Sequence, residues 1–228
     1  MSVYVIGDTH LSQSVDKPMD IFGGRWENYT KKLCDNWQNT VSDTDTVVIA
    51  GDVSWAMSLA DAAADFKLID SLPGKKLLLK GNHDYWWDTV SKMKRFLKEN
   101  EIETIDFIFN NSFFEGGLWL CGTRGWMLET TSATEHDKKI IARECARLER
   151  SLASAGDGEK IAFLHYPPIY DGNPAREFID VMQRYGVKRC FYGHLHAGSI
   201  KNATVGTHFD INFSLVSADA IDFLPINI

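Results

Sequence analysis

The amino-acid sequence predicts an α/β layered protein organised on a buried sheet. Three observations predict it. Short apolar, β-rich runs recur five times along the chain, and helix-patterned segments separate most of them. Each run then stops abruptly at side chains able to bind metals or move protons, usually by way of a glycine.

Val3-Tyr4-Val5-Ile6 is the first run, closed by Gly7 and followed by Asp8-Thr9-His10. If the backbone stayed extended there, Asp8 and His10 would point the same way. Leu11 to Glu27, with Pro18 and Gly23-Gly24 ahead of Arg25 and Trp26, is longer than an ordinary strand-to-helix connection. Asn28 to Thr40 reads as a helix with Leu33 and Trp37 on one face. Val47 to Ala50 is the second strand, ended by Gly51-Asp52, and Ser58 caps an Ala-rich helix running to about Leu72. Lys76 to Leu79 is the third strand; it feeds Gly81-Asn82-His83-Asp84 and a helix from about Asp88 to Glu99. Thr104 to Cys121 reads as consecutive short strands with tight turns, leading to Gly122-Thr123-Arg124-Gly125-Trp126. Thr134 to Ala155 is the longest helix, with an apolar stripe of Ile140, Ile141, Cys145, Leu148 and Leu152. Ile161 to Leu164 ends at His165, a helix from about Ala175 to Tyr185 follows, and Arg189 to Tyr192 ends at Gly193-His194-Leu195-His196. Ser199 to Phe223 alternates in the manner of three or four antiparallel strands. No repeat or linker divides the 228 residues, so one domain spanning residues 1–228 is expected.

Composition narrows the function classes. Lys and Arg number 24 against 31 Asp and Glu, a net charge of −7 without a polybasic block, which disfavours a protein devoted to long nucleic acid. Cys34, Cys121, Cys145 and Cys190 are scattered, with no C-x-x-C pair, and read as reduced thiols. The chain enters a strand almost at once, and no apolar run approaches the ~20 residues of a membrane-spanning helix. A cytoplasmic protein without a membrane partner is expected; oligomeric state is left open.

In open α/β sheets, ligands bind beyond the carboxyl ends of the strands. The residues at those ends are Asp8 and His10, Asp52, Asn82 and His83, His165, and His194 and His196; five of the seven histidines in the chain fall there. Placement by packing alone does not produce that clustering. Two carboxylates, an amide and several imidazoles suit two cations of the Mn, Fe or Zn type and do not discriminate among them. For two metals to sit ~3.5–4 Å apart one carboxylate must bridge them, and Asp52, the sole ligand of its turn, is the expected bridge. Asn82 can offer a carbonyl oxygen to a metal, His83 an imidazole for proton work, and Asp84 a carboxylate to orient that imidazole.

The ordered set GDTH (Gly7 to His10), GDVS (Gly51 to Ser54), GNHD (Gly81 to Asp84), His165 and GHLH (Gly193 to His196) resembles the calcineurin-like metallophosphoesterases in order and spacing. The resemblance implies a four-layer α/β/β/α sandwich of two mixed sheets. It also implies that Asp8, His10 and His196 hold one metal, that Asn82, His165 and His194 hold the other, and that Asp52 touches both. His83 would face the substrate, with Asp84 holding its ring. The implied activity is hydrolysis of a phosphomonoester or phosphodiester, in a small molecule or nucleotide, by a metal-bridging hydroxide. The alternatives are a nuclease or cyclic-nucleotide phosphodiesterase of the same fold, and a non-catalytic metal-binding scaffold.

Arg25 and Arg124 stand among glycines in loops where a guanidinium could grip a phosphate, with an ordinary surface role equally open. Trp26, Trp55, Trp86, Trp87 and Trp126 are expected mainly as core or pocket wall. Two decoys fail. Asp43-Thr44-Asp45-Thr46-Val47 fits an aspartate-nucleophile pattern but precedes its strand, and no Cys has an Arg six positions later.

Overall fold

A computed structural model describes residues 1–17, 19–127 and 133–228. Pro18, read above as part of the first loop, lies outside them. β1 (Val3–Ile6), β2 (Thr46–Ile49), β3 (Lys75–Leu78) and β4 (Ile105–Phe107) run parallel in the first sheet. β5 (Ser112–Glu115), β6 (Leu118–Thr123) and β7 (Lys160–Leu164) open the second. A small hairpin of β8 (Ile169–Tyr170) and β9 (Asn173–Pro174) follows. β10 (Arg189–Tyr192), β11 (Gly206–His208) and β12 (Ile211–Leu215) complete the second sheet, in the order β11-β12-β10-β7-β6-β5. β13 (Ile226–Asn227) returns to pair antiparallel with β1.

Strand alternation explains why the sheets stack. On the first sheet Val3, Val5, Val48, Ala50, Leu77 and Leu79 face inward against Leu120, Ile161, Phe163, Phe191 and Val216 of the second. The alternate residues Ile6, Val47, Ile49 and Leu78 pack outward on α1 (Tyr29–Thr40), α2 (Leu59–Ser71) and α3 (Val90–Glu99). On the far side Ala162, Leu164, Cys190 and Tyr192 pack on α4 (Glu135–Ala153) and α5 (Arg176–Arg184). Each such aliphatic or aromatic burial is worth about 1.5–3 kcal/mol against an exposed reference. The result is the four-layer α/β/β/α sandwich. Helix entry follows local chemistry: Ser58 Oγ accepts from the Asp61 N–H at 3.3 Å, and Thr134 and Asp137 form a reciprocal capping box.

Three details differ from the sequence reading. The strands between Thr104 and Cys121 are split between sheets: β4 joins β3, and the β5–β6 hairpin lies across the core. Ile105 and Phe107 pack on the helical side, whereas Ile108 already lies between the sheets, so the crossing begins there. The tail is antiparallel only in its β11–β12 pair. β12 runs parallel to β10, because its carboxyl end docks on Gly7: Gly7 N–H donates to Val216 O at 2.7 Å, and Ala218 N–H to Gly7 O at 3.0 Å. Finally, Asp8 and His10 are not extended, with φ of 57° and 44°. All four cysteines are free, and among the described residues no helix is long and apolar enough to cross a membrane.

Lys76 is buried at the amino end of β3, where its Nζ donates to Leu72 O, to Asp70 O at 3.3 Å and to Thr104 Oγ1 at 3.1 Å. It thereby satisfies carbonyls at the end of α2. Burial pulls its ammonium down to about 8 from the ordinary 10.5. Between those values the unfolded chain binds more protons than the folded one, so Lys76 makes stability rise with pH across that window. Denaturant unfolding at a series of pH values should show a flatter rise in Lys76→Met than in the parent.

Candidate metal centre

The carboxyl ends of the parallel strands of both sheets open at one edge, and the polar turns meet there. Asp8, His10 and His196 form one group whose ligand atoms all lie within 4.8 Å of one another, and Asp52, His165 and His194 form a second. Asp52 stands between the two. Its Oδ2 is 3.7 Å from His10 Nε2 and 3.5 Å from His165 Nε2, and its Oδ1 accepts from the His83 N–H at 2.8 Å. Asn82 Oδ1 lies 2.7 Å from His165 Nε2, on the side of the second group.

The local backbone has been bent to achieve this. Asp8, His10, Asp52 and His194 all adopt positive φ, between 44° and 73°, a region costly for residues other than glycine. Glycines precede Asn82 and His194 for a steric reason. A Cβ on Gly81 would collide with the Asp52 carboxylate, and one on Gly193 with that of Asp8. The space is taken by Asp8 accepting from the His194 N–H at 2.9 Å and by Asp52 lying against the Gly81 backbone.

Hydrogen bonds orient the imidazoles. His165 Nδ1 lies 3.1 Å from Ala50 O, which turns its Nε2 toward Asn82 and Asp52. His196 Nδ1 is 2.8 Å from Asp219 Oδ1, leaving its Nε2 3.3 Å from Asp8 Oδ1. Burial lowers His165 and His10 and takes His194 to about 3, so these rings are neutral and present lone pairs. Burial works against His196 too, yet the carboxylates of Asp8 and Asp219 outweigh it and raise that ring to about 10. Burial, reinforced by the neighbouring Asp8 charge, drives Asp52 well above the usual carboxylate range. Two carboxylates crowded out of water among imidazoles, all but His196 held neutral, is a donor set that fits divalent or trivalent transition cations. Bound charge there would relieve the repulsion between Asp8 and Asp52.

Two residues do other work than expected. Asp84 does not hold the His83 ring. Its carboxylate accepts from the N–H groups of Asp52 (2.9 Å), Val53 (2.8 Å) and Gly81 (2.7 Å) and from Trp86 Nε1 (3.0 Å). Fully buried, it braces the GDVS turn to the GNHD turn, because backbone donors surround it on all sides. His83 Nδ1 is buried without a partner, and the ring is held by packing, 4.4 Å from the Trp55 ring centroid. Burial lowers His83 to about 4. Arg25 lies outside both groups, its Nη1 donating to Asp219 O at 2.9 Å. Arg124 flanks the second group: its carbonyl accepts from the N–H of His165 at 3.1 Å and of Tyr166 at 2.9 Å. Of the tryptophans, Trp86 is core, while the buried Trp26 and the half-buried Trp55 flank His10, with ring centroids 5.8 Å and 4.8 Å from it.

Asp219 is the residue that sequence reasoning missed. It is buried just past the carboxyl end of β12, holding His196 through one oxygen and the Ala197 N–H through the other. The signal was available. It is an acidic residue a few positions beyond an apolar run, as at the other strand ends, but an antiparallel tail would put that end away from the site, and only the parallel pairing of β12 with β10 brings it there.

A family model described as calcineurin-like phosphoesterase matches residues 1–198. An uncharacterised protein of Methanocaldococcus jannaschii is 32% identical over 83 residues, a match covering 36% of this chain and 46% of that protein, less than half its length. Among solved structures, a protein of unknown function from Aquifex aeolicus superposes with a TM-score of 0.56 at 16% identity, covering 99% of this chain and 95% of its own; this likeness concerns the fold.

Asp84→Asn places an amide N–H₂ among donors and removes a charge-assisted acceptor, so it should cost about 3 kcal/mol of unfolding free energy, read by denaturant titration. A residue that merely oriented His83 would leave stability near the parent value. Asp219→Asn should weaken metal affinity about 10–100-fold, the usual effect of losing a carboxylate behind a ligating histidine. Competition with a chromophoric chelator measures it.

Proposed function

The chain belongs to the calcineurin-like phosphoesterase family, and from that premise we propose that it is a dinuclear metal-dependent hydrolase of a phosphomonoester or phosphodiester in a small molecule or nucleotide. The observation that carries this reading is the position of Asp52, one carboxylate oxygen of which faces histidines from both ligand groups. Asp8, His10 and His196 would hold one ion, Asn82, His165 and His194 the other, and Asp52 both. When bound, such a pair supplies an activated water near neutral pH and neutralises charge on the phosphoryl oxygens.

The remaining roles fall to the protein. The buried Asp8 and Asp52 fix the spacing of the two groups, and the hydrogen bonds that His165 and His196 donate to Ala50 O and Asp219 Oδ1 orient the two rings. His83 stands beside the first group, its ring 5.9 Å from that of His10, and donates a hydrogen bond to the leaving oxygen from Nε2, its Nδ1 being buried. A donor positioned in this way typically contributes ~10²–10⁴-fold to rate. Trp55 keeps the ring in place and excludes water from one side of the site.

A metal-reconstituted screen against nitrophenyl phosphate, bis-nitrophenyl phosphate, cyclic nucleotides and short single-stranded nucleic acid tests the reading. Turnover is expected with at least one of Mn, Fe or Zn, and none with any metal would leave the scaffold alternative. Asp52→Asn should lower the occupancy of both metals by elemental analysis; unchanged content removes the bridge. His83→Ala should retain metal and lose ~10²-fold or more on a poor leaving group, with a smaller loss on nitrophenyl esters.

A further inference from the structure

A cluster of cations borders the second ligand group. Lys80, at the carboxyl end of β3, immediately precedes Gly81 and Asn82. Across a narrow cleft from it stand Arg124, at the end of β6, and Arg147 of α4, with Glu144 beneath them. Glu144 is fully buried and accepts from Thr123 Oγ1 at 2.8 Å, Arg147 Nη1 at 2.6 Å and Arg143 Nε at 3.3 Å; Arg124 Nη2 reaches it only at 3.8 Å. One carboxylate therefore serves three guanidinium groups, and two donors are left over. Lys80 Nζ makes no hydrogen bond or ion pair among the described residues, and Arg124 Nε is buried without a partner. In a chain of net charge −7, this local surplus of positive charge is not a reflection of average composition. Like charges gathered at a low-dielectric surface repel, and an incoming anion converts that repulsion into attraction.

The surplus lies beside the site. The Arg124 guanidinium is 6.0 Å from the Tyr166 ring, and that ring is 4.4 Å from His194. The flank of the first group, by contrast, is walled by Trp26 and Trp55. The cleft between Lys80, Arg124 and Arg147 has a volume of about 10 Å³, room for a single water, so a larger anion engages Lys80 and the exposed part of the Arg124 guanidinium at the mouth, with the buried Nε beneath it.

We propose that Lys80 and Arg124 form a subsite for a second phosphate group of the substrate, so that the preferred substrates carry a phosphate beside the one that is cleaved. This rests on the phosphoester-hydrolase reading above and narrows it. Guanidinium and ammonium donors of this kind recognise phosphate as charge-assisted hydrogen-bond acceptors, Arg124 through its planar edge and Lys80 as a point charge. The second phosphate has two chemical sources, a bisphosphorylated mononucleotide or the flanking phosphate of a short nucleic acid.

Steady-state hydrolysis by the metal-loaded protein of two matched pairs separates these sources: thymidine 5′-monophosphate against thymidine 3′,5′-bisphosphate, and the dinucleotide TpT against its 5′-phosphorylated form. In at least one pair the member with the extra phosphate should show a KM lower by about tenfold, the effect of one charge-assisted contact. Lys80→Ala should bring the KM ratio of that pair towards one, and Lys80→Arg should retain most of it. Equal KM values within both pairs, or a preference undiminished in Lys80→Ala, overturns the subsite while leaving phosphoester hydrolysis standing. If the parent turns over none of the four compounds or the nitrophenyl esters, the hydrolase reading fails and the subsite with it.

Discussion

Two carboxylates, Asp8 and Asp52, are buried side by side among imidazoles at the junction of two sheets, and most of the structure around them can be read as a response to that fact. Like charges removed from water are mutually destabilising. Here they are held by backbone N–H groups from the opposite turn: His194 donates to Asp8 and His83 to Asp52. Each carboxylate thus anchors the turn that carries another ligand, and each turn needs a glycine so that the carboxylate can approach. The architecture supplies the rigidity. Alternating apolar residues lock the sheets face to face, and the Gly7 to Val216 hydrogen bond ties their carboxyl ends together.

Much of this was legible in the sequence, because apolar runs ending in ligand-capable residues are a local signal. The strand positions, the helices with Ser58 and Thr134 at their starts, and the polar turns that meet at one edge can all be read from neighbours in the chain. What was not legible depends on partners far apart in sequence. Nothing local to Ile105–Phe107 says that the next strand belongs to the other sheet, and nothing local to Ile211–Leu215 says that it lies parallel to β10. Asp84 illustrates the same limit. Its adjacency to His83 suggested a pair, but the carboxylate is claimed by N–H groups more than 30 positions earlier. A side chain next to a functional residue in sequence is no nearer to it in space than turn geometry allows.

Asp219 extends this point to function. It lies beyond residues 1–198, the part that matches the family model, yet it fixes the ring of His196 and the backbone that follows it. His196 keeps 24% of its side chain accessible, so packing alone does not secure its orientation. The long first loop reinforces the same place: Arg25 grips the Asp219 carbonyl, while Trp26 packs against His196 and Phe223. Loop and tail therefore act together as a brace for His196, and Arg25 takes part in it through the Asp219 carbonyl.

The cost of such a site bears on how the protein is stabilised. Four residues of the candidate metal centre in left-handed backbone conformations store of order 1–3 kcal/mol each, in addition to the repulsion between the buried acids. In a fold whose net stability is of order 5–15 kcal/mol, that strain is tolerable only because independent features hold the same turns. Asp84 clamps two of them from below, the glycines admit the carboxylates, and Trp55 and Trp26 close the first group from the side. Cations bound between Asp8 and Asp52 would act on the repulsion between the buried acids directly, since ion binding to a preformed set of ligands adds to folding free energy. Metal affinity and fold stability are then two readings of one balance, struck where the sheets meet.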